Sequence, residues 1–191
     1  RLLALDVADT AMCRETLGHL LQEEGRVDVL VNNAGITRDG AFKRMTPDQW
    51  FEVIHTNLCS LYNVTQPLFD AMCEQRDARI INISSVNGQK GQFGQVNYSA
   101  AKAGMLGFTK ALAAEGARFG VTVNAIAPGY TATPMVEAIR TDILDSIKAD
   151  IPMRRLAKPE EIAAAVVFLA SEAGAYITGE TLAINGGLYM K

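Results

Sequence analysis

Aromatic residues are scarce in this chain, 7% of 191 positions, so Ala, Val, Ile and Leu must fill its core. Aliphatic cores of that kind are common where helices cover both faces of a parallel sheet. Long hydrophobic runs are lacking too. The longest, Ile162–Ala170, has nine residues, whereas a membrane-spanning helix needs about 20, so no membrane partner is expected. There is no basic excess: the net charge is −3 and eighteen basic residues are scattered along the chain. A nucleic-acid partner, which would call for a clustered basic patch, is therefore not expected. Cysteine is sparse, and Cys13, Cys59 and Cys73 stand too far apart for a metal motif. Unpaired thiols suit a reducing, cytoplasmic setting. His19 and His55 fall in helical stretches without a partner motif and read as structural or surface residues, so no metal site is expected.

What is present is alternation. Strand-like apolar runs occur at Leu2–Leu5, Val27–Val31, Arg79–Ile83, Val121–Ile126 and Thr181–Ile184. Helical patterns lie between or after them, at Thr10–Glu24, Pro47–Gln75, Asn97–Phe119, Pro134–Ala149 and Pro159–Ala170. Such alternation predicts a doubly wound, mostly parallel α/β sheet in one domain over residues 1–191. Position 1 is Arg, and the first residues already read as a strand, which gives the expectation of an N-terminally incomplete domain. In doubly wound sheets ligands bind at the carboxyl ends of the strands. Here those ends are Asp6-Val7, Asn32-Asn33-Ala34-Gly35, Ser84-Ser85 and Ala127–Thr133.

Tyr98 and Lys102 are four apart in a helical pattern and share a face. An ammonium beside a phenol lowers its pKa from about 10 and makes it a general acid or base near neutrality. Ser85 stands thirteen residues before Tyr98, at a strand end. The glycine-rich stretch Gly88–Gln95 between them is able to fold back and bring the two hydroxyls to one point. Asn57 interrupts the long pattern after Pro47; taken alone, it reads as a solvated helix position.

Together, Asn32-Asn33-Ala34-Gly35, Asn57, Ser85, Tyr98-Ser99-Ala100-Ala101-Lys102, Pro128-Gly129 and Asn185-Gly186-Gly187 resemble the short-chain dehydrogenase/reductases over the whole chain. The resemblance implies a catalytic tetrad. Ser85 would polarise the substrate carbonyl, Tyr98 would donate its proton, Lys102 would lower the tyrosine pKa, and Asn57 would anchor a proton-relay water. It also implies a Rossmann-like fold that binds NADPH (NADP+), with NADH as the alternative. Asp6 and Val7 would lie at the adenine and Asn33, Ala34 and Gly35 at the ribose. Tyr98, Lys102, Pro128, Gly129 and Thr131 would lie about the nicotinamide half, with Thr133 at a phosphate.

Within the family, Val86–Gln95 and Pro128-Gly129-Tyr130 look most like the NADPH-dependent acetoacetyl-coenzyme A reductases of polyhydroxyalkanoate synthesis. That resemblance implies reduction of a short 3-oxoacyl thioester to its (R)-3-hydroxyacyl product. Ser85, Gln92, Phe93, Gln95 and Tyr130 would contact the substrate. The alternatives are a 3-oxoacyl-acyl-carrier-protein reductase and a non-catalytic assembly subunit. A homotetramer is implied for the assembly. One departure stands out: the family's glycine-rich phosphate loop, which offers a helix N-terminus to pyrophosphate, has no counterpart here. The family's strand order, 3-2-1-4-5-6-7, would leave Leu2–Leu5 and Val27–Val31 with open edges unless they pair with each other. Cofactor binding far weaker than that of a longer version, with little or no activity, is expected of the chain as it stands.

Overall fold

The computed structural model describes residues 1–137 and 139–190. Helix α1 (Thr10–Glu24) begins where the Asp9 side chain accepts from the Met12 N–H at 2.9 Å. It ends at Gly25, whose φ of 75° places it in the left-handed region. Strand β1 (Val29–Asn32) follows. Helix α2 (Pro47–Ile54) opens on a reciprocal cap between Thr46 and Gln49, with Pro47 in its first turn. Helix α3 is Ser60–Gln75, and β2 (Ala78–Ile83) leads to a short helix α4 (Asn87–Lys90) and the long α5 (Val96–Gly116). After β3 (Val121–Pro128) come α6 (Pro134–Glu137), α7 (Thr141–Asp150), α8 (Pro159–Ala170) and β4 (Thr181–Ile184).

Among the described residues the strands form one parallel sheet in the order β1-β2-β3-β4. Strand alternation divides the core between its two faces. Ala78 and Ile80 of β2 and Val121 and Val123 of β3 pack with Cys13 and Leu17 of α1, Val64, Leu68 and Met72 of α3, and Ala113 of α5. Ile81 and Ile126 form the opposite cluster with Leu169 of α8. Helices on both faces of a parallel sheet make this the expected doubly wound, Rossmann-like α/β fold.

Several expectations are corrected. Leu2–Leu5 is no strand and does not pair with β1; Leu2 is 99% exposed, while Leu5 and Val7 turn onto the core. A strand exists through its ladder, and β1 is bonded to β2 alone among the described residues. The continuous helix predicted over Pro47–Gln75 is interrupted by a π-helical turn, His55–Cys59. The wider turn carries Asn57 inward while Val53 on one side and Leu61, Val64 and Leu68 on the other stay buried. The helix predicted over Pro134–Ala149 is two helices, α6 and α7, and residue 138 lies outside the described residues. The Asn97–Phe119 pattern closes in a 3-10 turn, Ala117–Phe119.

Candidate active site

The carboxyl ends of the strands gather most of the expected residues. Beyond the end of β1, the Asn57 amide clasps the backbone of one residue, Ile36. Its Nδ2 donates to the Ile36 carbonyl and its Oδ1 accepts from the Ile36 N–H, both at 2.8 Å. Asn57 is fully buried, so the solvated reading is wrong, and its side chain holds Ile36, and with it the segment that follows β1, in place. Gly35 sits beside it, where an added Cβ would stand 3.4 Å from Asn57 Oδ1 and 3.6 Å from Lys102 Nζ.

At the end of β2, Ser84 continues the ladder to Ile126, and its hydroxyl donates to the Lys102 carbonyl at 2.9 Å. Ser85 follows, its Oγ accepting from the Asn87 N–H at 3.1 Å. Tyr98 and Lys102 share the facing side of α5, whose start is held by Asn97. That buried amide donates to the Arg38 and Gln49 carbonyls, and its oxygen accepts from the Tyr98 N–H. A cavity of about 220 Å³ is lined by Ser85, Asn87, Gln95, Tyr98, Gly129, Tyr130, Thr131 and Thr133, among others. Ser85 and Tyr98 therefore meet with Gln95 and Tyr130 around one space.

The structure does not bring every expected residue there. Phe93 is 90% exposed, and Gln92 accepts from Lys90 Nζ at 2.8 Å outside the cavity wall. Asn57 is not on that wall either. Asp39, which sequence reasoning passed over, accepts from Gln95 Nε2 at 2.9 Å. Asn87 was likewise passed over as a site residue; the sequence offers only its place two residues after Ser85, and its burial appears in the fold alone.

The electrostatics also depart from expectation. Burial raises the Tyr98 pKa above its ordinary value; the Ser85 hydroxyl acts against that rise and the Asp39 charge adds to it. Lys102 does not lower it here. Its ammonium donates to the Ile83 carbonyl at 2.7 Å and lies 5.7 Å from the centre of the Tyr98 ring, over the ring and away from a direct bond to the oxygen. Burial in turn lowers the Lys102 pKa to about 8. The tyrosine is thus held as a neutral phenol, the form a proton donor needs.

Two further cavities continue along the strand ends. One of about 210 Å³ is lined by Leu5, Val7, Asn32, Asn33 and Ala34 with residues of α3 and Met105 of α5. The other, about 370 Å³, is lined by Asn33, Ile83, Pro128, Thr131, Thr133 and the start of α8. The Val7 carbonyl is tied down by Asn63 Nδ2 at 3.0 Å, and Asn63 in turn accepts from the Thr10 hydroxyl. Asp6 accepts from the Ala8 N–H. Of the residues expected about a dinucleotide, Val7, Asn33 and Ala34 line the first space and Asn33, Pro128, Thr131 and Thr133 the second, an arrangement that fits such a group; Asp6, Gly35 and Lys102 line neither, and Tyr98 and Gly129 line the Ser85 cavity instead. Among the described residues no cluster could hold a metal ion, and no helix is long and apolar enough to cross a membrane.

A parallel sheet with helices on both faces and a Ser–Tyr–Lys cluster at its strand ends defines a class, and the comparisons agree with it. The profile of the family described as enoyl-(acyl carrier protein) reductase matches residues 1–189. The chain belongs to the short-chain dehydrogenase/reductases and is an oxidoreductase that uses a nicotinamide cofactor and a small-molecule substrate. It is 66% identical over 183 residues to an acetoacetyl-CoA reductase of Acinetobacter sp. (strain RA3849), covering 96% of this chain and 72% of that protein. It is 56% identical over 185 residues to the acetoacetyl-CoA reductase of Cupriavidus necator, covering 97% and 75%. The 3-oxoacyl-[acyl-carrier-protein] reductase FabG of Vibrio harveyi is 50% identical over 188 residues, covering 98% and 77%.

Proposed function

We propose that this protein reduces acetoacetyl-coenzyme A to the (R)-3-hydroxybutyryl thioester with NADPH. The observation that carries the reading is the shared cavity of Ser85 and Tyr98, with Gln95 and Tyr130 on its wall. The Ser85 hydroxyl donates to the substrate's 3-oxo oxygen and stabilises the charge that develops there. Tyr98 is held as the neutral phenol by burial and gives that oxygen its proton. Lys102, anchored on Ile83, stands behind the tyrosine and faces Gly35, where it meets a ribose hydroxyl. Asn57 keeps the Asn33–Ile36 segment in register, so that Asn33, Ala34 and Gly35 hold the adenosine half with Asp6 and Val7 at the adenine. Pro128, Gly129 and Thr131 flank the nicotinamide, and Thr133 reaches a phosphate. Bound along these strand ends, the dinucleotide supplies the hydride. Gln95 and Tyr130 contact the acyl thioester, and Gln92 and Phe93 stand in the same loop outside the cavity. We place the protein in the cytoplasm as a homotetramer of one Rossmann-like domain over residues 1–191.

A second reading, reduction of the same acyl group on acyl carrier protein, is favoured by the 50% identity to the Vibrio harveyi enzyme. Steady-state rates with acetoacetyl-coenzyme A and acetoacetyl-acyl carrier protein separate the two, with chiral chromatography of the product. Higher kcat/KM on the coenzyme A thioester is expected. A clear preference for the carrier protein replaces this reading with the second.

A further inference from the structure

Four residues from three segments join at the cavity in a chain of hydrogen bonds. Asp39 Oδ2 accepts from Gln95 Nε2 at 2.9 Å, Gln95 Oε1 accepts from Asn87 Nδ2 at 2.8 Å, and the Asn87 N–H donates to Ser85 Oγ at 3.1 Å. The loop carrying Asp39 is pinned on either side of it. The Arg38 carbonyl accepts from Asn97 Nδ2 at 3.1 Å, and the Gly40 N–H donates to the Gly94 carbonyl at 2.8 Å.

The two side-chain links run one way only. A carboxylate offers lone pairs and no proton, so Gln95 must turn its NH₂ to Asp39 and its carbonyl to Asn87. Asn87 must then answer with its own NH₂, which leaves its carbonyl oxygen over. That oxygen, Asn87 Oδ1, is buried without a partner, as this polarity requires. Leaving that acceptor unpaired is unfavourable, but the opposite arrangement of the two amides would set the Gln95 carbonyl against the Asp39 carboxylate, which is worse. At the far end, Ser85 Oγ receives an N–H on its lone pair, which frees its own proton to point elsewhere, toward Tyr98 and the cavity.

We propose that Asp39, acting through Gln95, holds the Asn87 side chain so that the Asn87 backbone N–H stays on Ser85 Oγ and leaves the hydroxyl proton free for the cavity, with Asn87 as the positioning residue in contact with Ser85. The proposal rests on the reading of Ser85 as the group that polarises the substrate carbonyl.

The test reverses the chain and then restores it. Gln95→Glu sets a carboxylate against Asp39. Adding Asp39→Asn lets position 39 donate to the new carboxylate, whose second oxygen still accepts from Asn87. Two quantities are read in the purified protein: hydrogen exchange at the backbone amide of residue 87 by NMR, and kcat. Gln95→Glu is expected to speed that exchange at least tenfold and to lower kcat on the order of 10²-fold, the scale of a roughly 1 Å misplacement. The double variant is expected to recover most of both. Asn87→Ala, which removes the link without adding a charge, is expected to show the same two losses and serves if Gln95→Glu does not fold. Exchange at residue 87 that ignores these substitutions, or a double variant no better than Gln95→Glu alone, overturns the proposal. Exchange that follows the chain while kcat does not supports the chain and overturns the role of Ser85 instead.

Discussion

Gly88 rests on the backbone of Lys102 so closely that a Cβ on it would stand 2.7 Å from the lysine's carbonyl carbon and 2.9 Å from its Cβ. The contact is between two helices, α4 and α5, and backbone cannot step aside as a flexible side chain can. Through it, the segment that begins at Ser85 is seated against the helix that carries Tyr98 and Lys102.

Gly88→Ala is therefore expected to lift α4 from α5, at a cost of about 1–3 kcal/mol, the usual range for overpacking. Turnover should fall with it, because Ser85 moves relative to Tyr98. Gly18→Ala in α1, where an added Cβ meets nothing within 4 Å, serves as the contrast. It should stabilise by about 0.5–1 kcal/mol through helix propensity. Urea denaturation of both variants checks the pair, and a neutral Gly88→Ala would show that the two helices separate freely.

Lys102 should titrate near pH 8 in the ligand-free protein, well below an ordinary lysine. The sign for stability follows. Between about pH 8 and 10.5 the unfolded chain holds a proton on this lysine that the folded one has lost. Its burial therefore costs stability below pH 8, and that cost is relieved as the pH rises through this window. Carbon-13 NMR of the dimethylated lysines reads the titration directly. A Lys102 signal that moves only above pH 10 would refute it.

Tyr98→Phe removes the proton donor and keeps the ring. Loss of general acid catalysis lowers kcat by about 10²–10⁴-fold, while the melting temperature should hardly change. Ultraviolet titration of the wild type at 295 nm should show, against the variant, one tyrosine ionising above the ordinary range. Turnover within threefold of wild type would make Tyr98 a packing residue.

Asn57→Ala strips the Ile36 N–H and C=O of their partner in a half-buried segment. A fully buried unpaired N–H or C=O costs about 1–3 kcal/mol; because Ile36 is only half-buried and water reaches it, a loss of about 1–2 kcal/mol in all is expected. Cofactor affinity should fall as the Asn33–Ile36 segment loosens, which fluorescence titration with NADPH reads. Unchanged stability and affinity together would remove Asn57 from the site.

Much of this protein lies in its local sequence because local physics is enough for it. Strands β2 and β3 are buried on both faces and read as mostly aliphatic runs, broken by Arg79 and Asn82 in the one and Thr122 and Asn124 in the other. Asp9, Gly25, Thr46 and Pro47 mark helix ends through bonds within a few residues. Tyr98 and Lys102 share a face because an α-helix repeats every 3.6 residues. The family motifs at Asn33–Gly35, Ser85 and Tyr98–Lys102 were legible for the same reason, each being a short string at a strand end or helix start.

What only the tertiary structure decided depends on partners distant in sequence. Leu2–Leu5 has the composition of a strand, yet a strand requires a ladder and this segment has none. Asn57 looks like a solvated helix residue until the π-helical turn and the Ile36 peptide, twenty-one residues away, enclose it. Phe93 sits in the substrate-side loop by sequence and faces solvent in space. Spacing places Lys102 beside Tyr98, but the Ile83 carbonyl and burial decide where its ammonium rests and how readily it holds its proton. Asp39 carries no motif at all, and its connection to Ser85 exists only because Gln95 and Asn87 fold between them. Periodicity and caps are properties of neighbours along the chain, whereas hydrogen-bond direction, burial and pKa belong to neighbours in space.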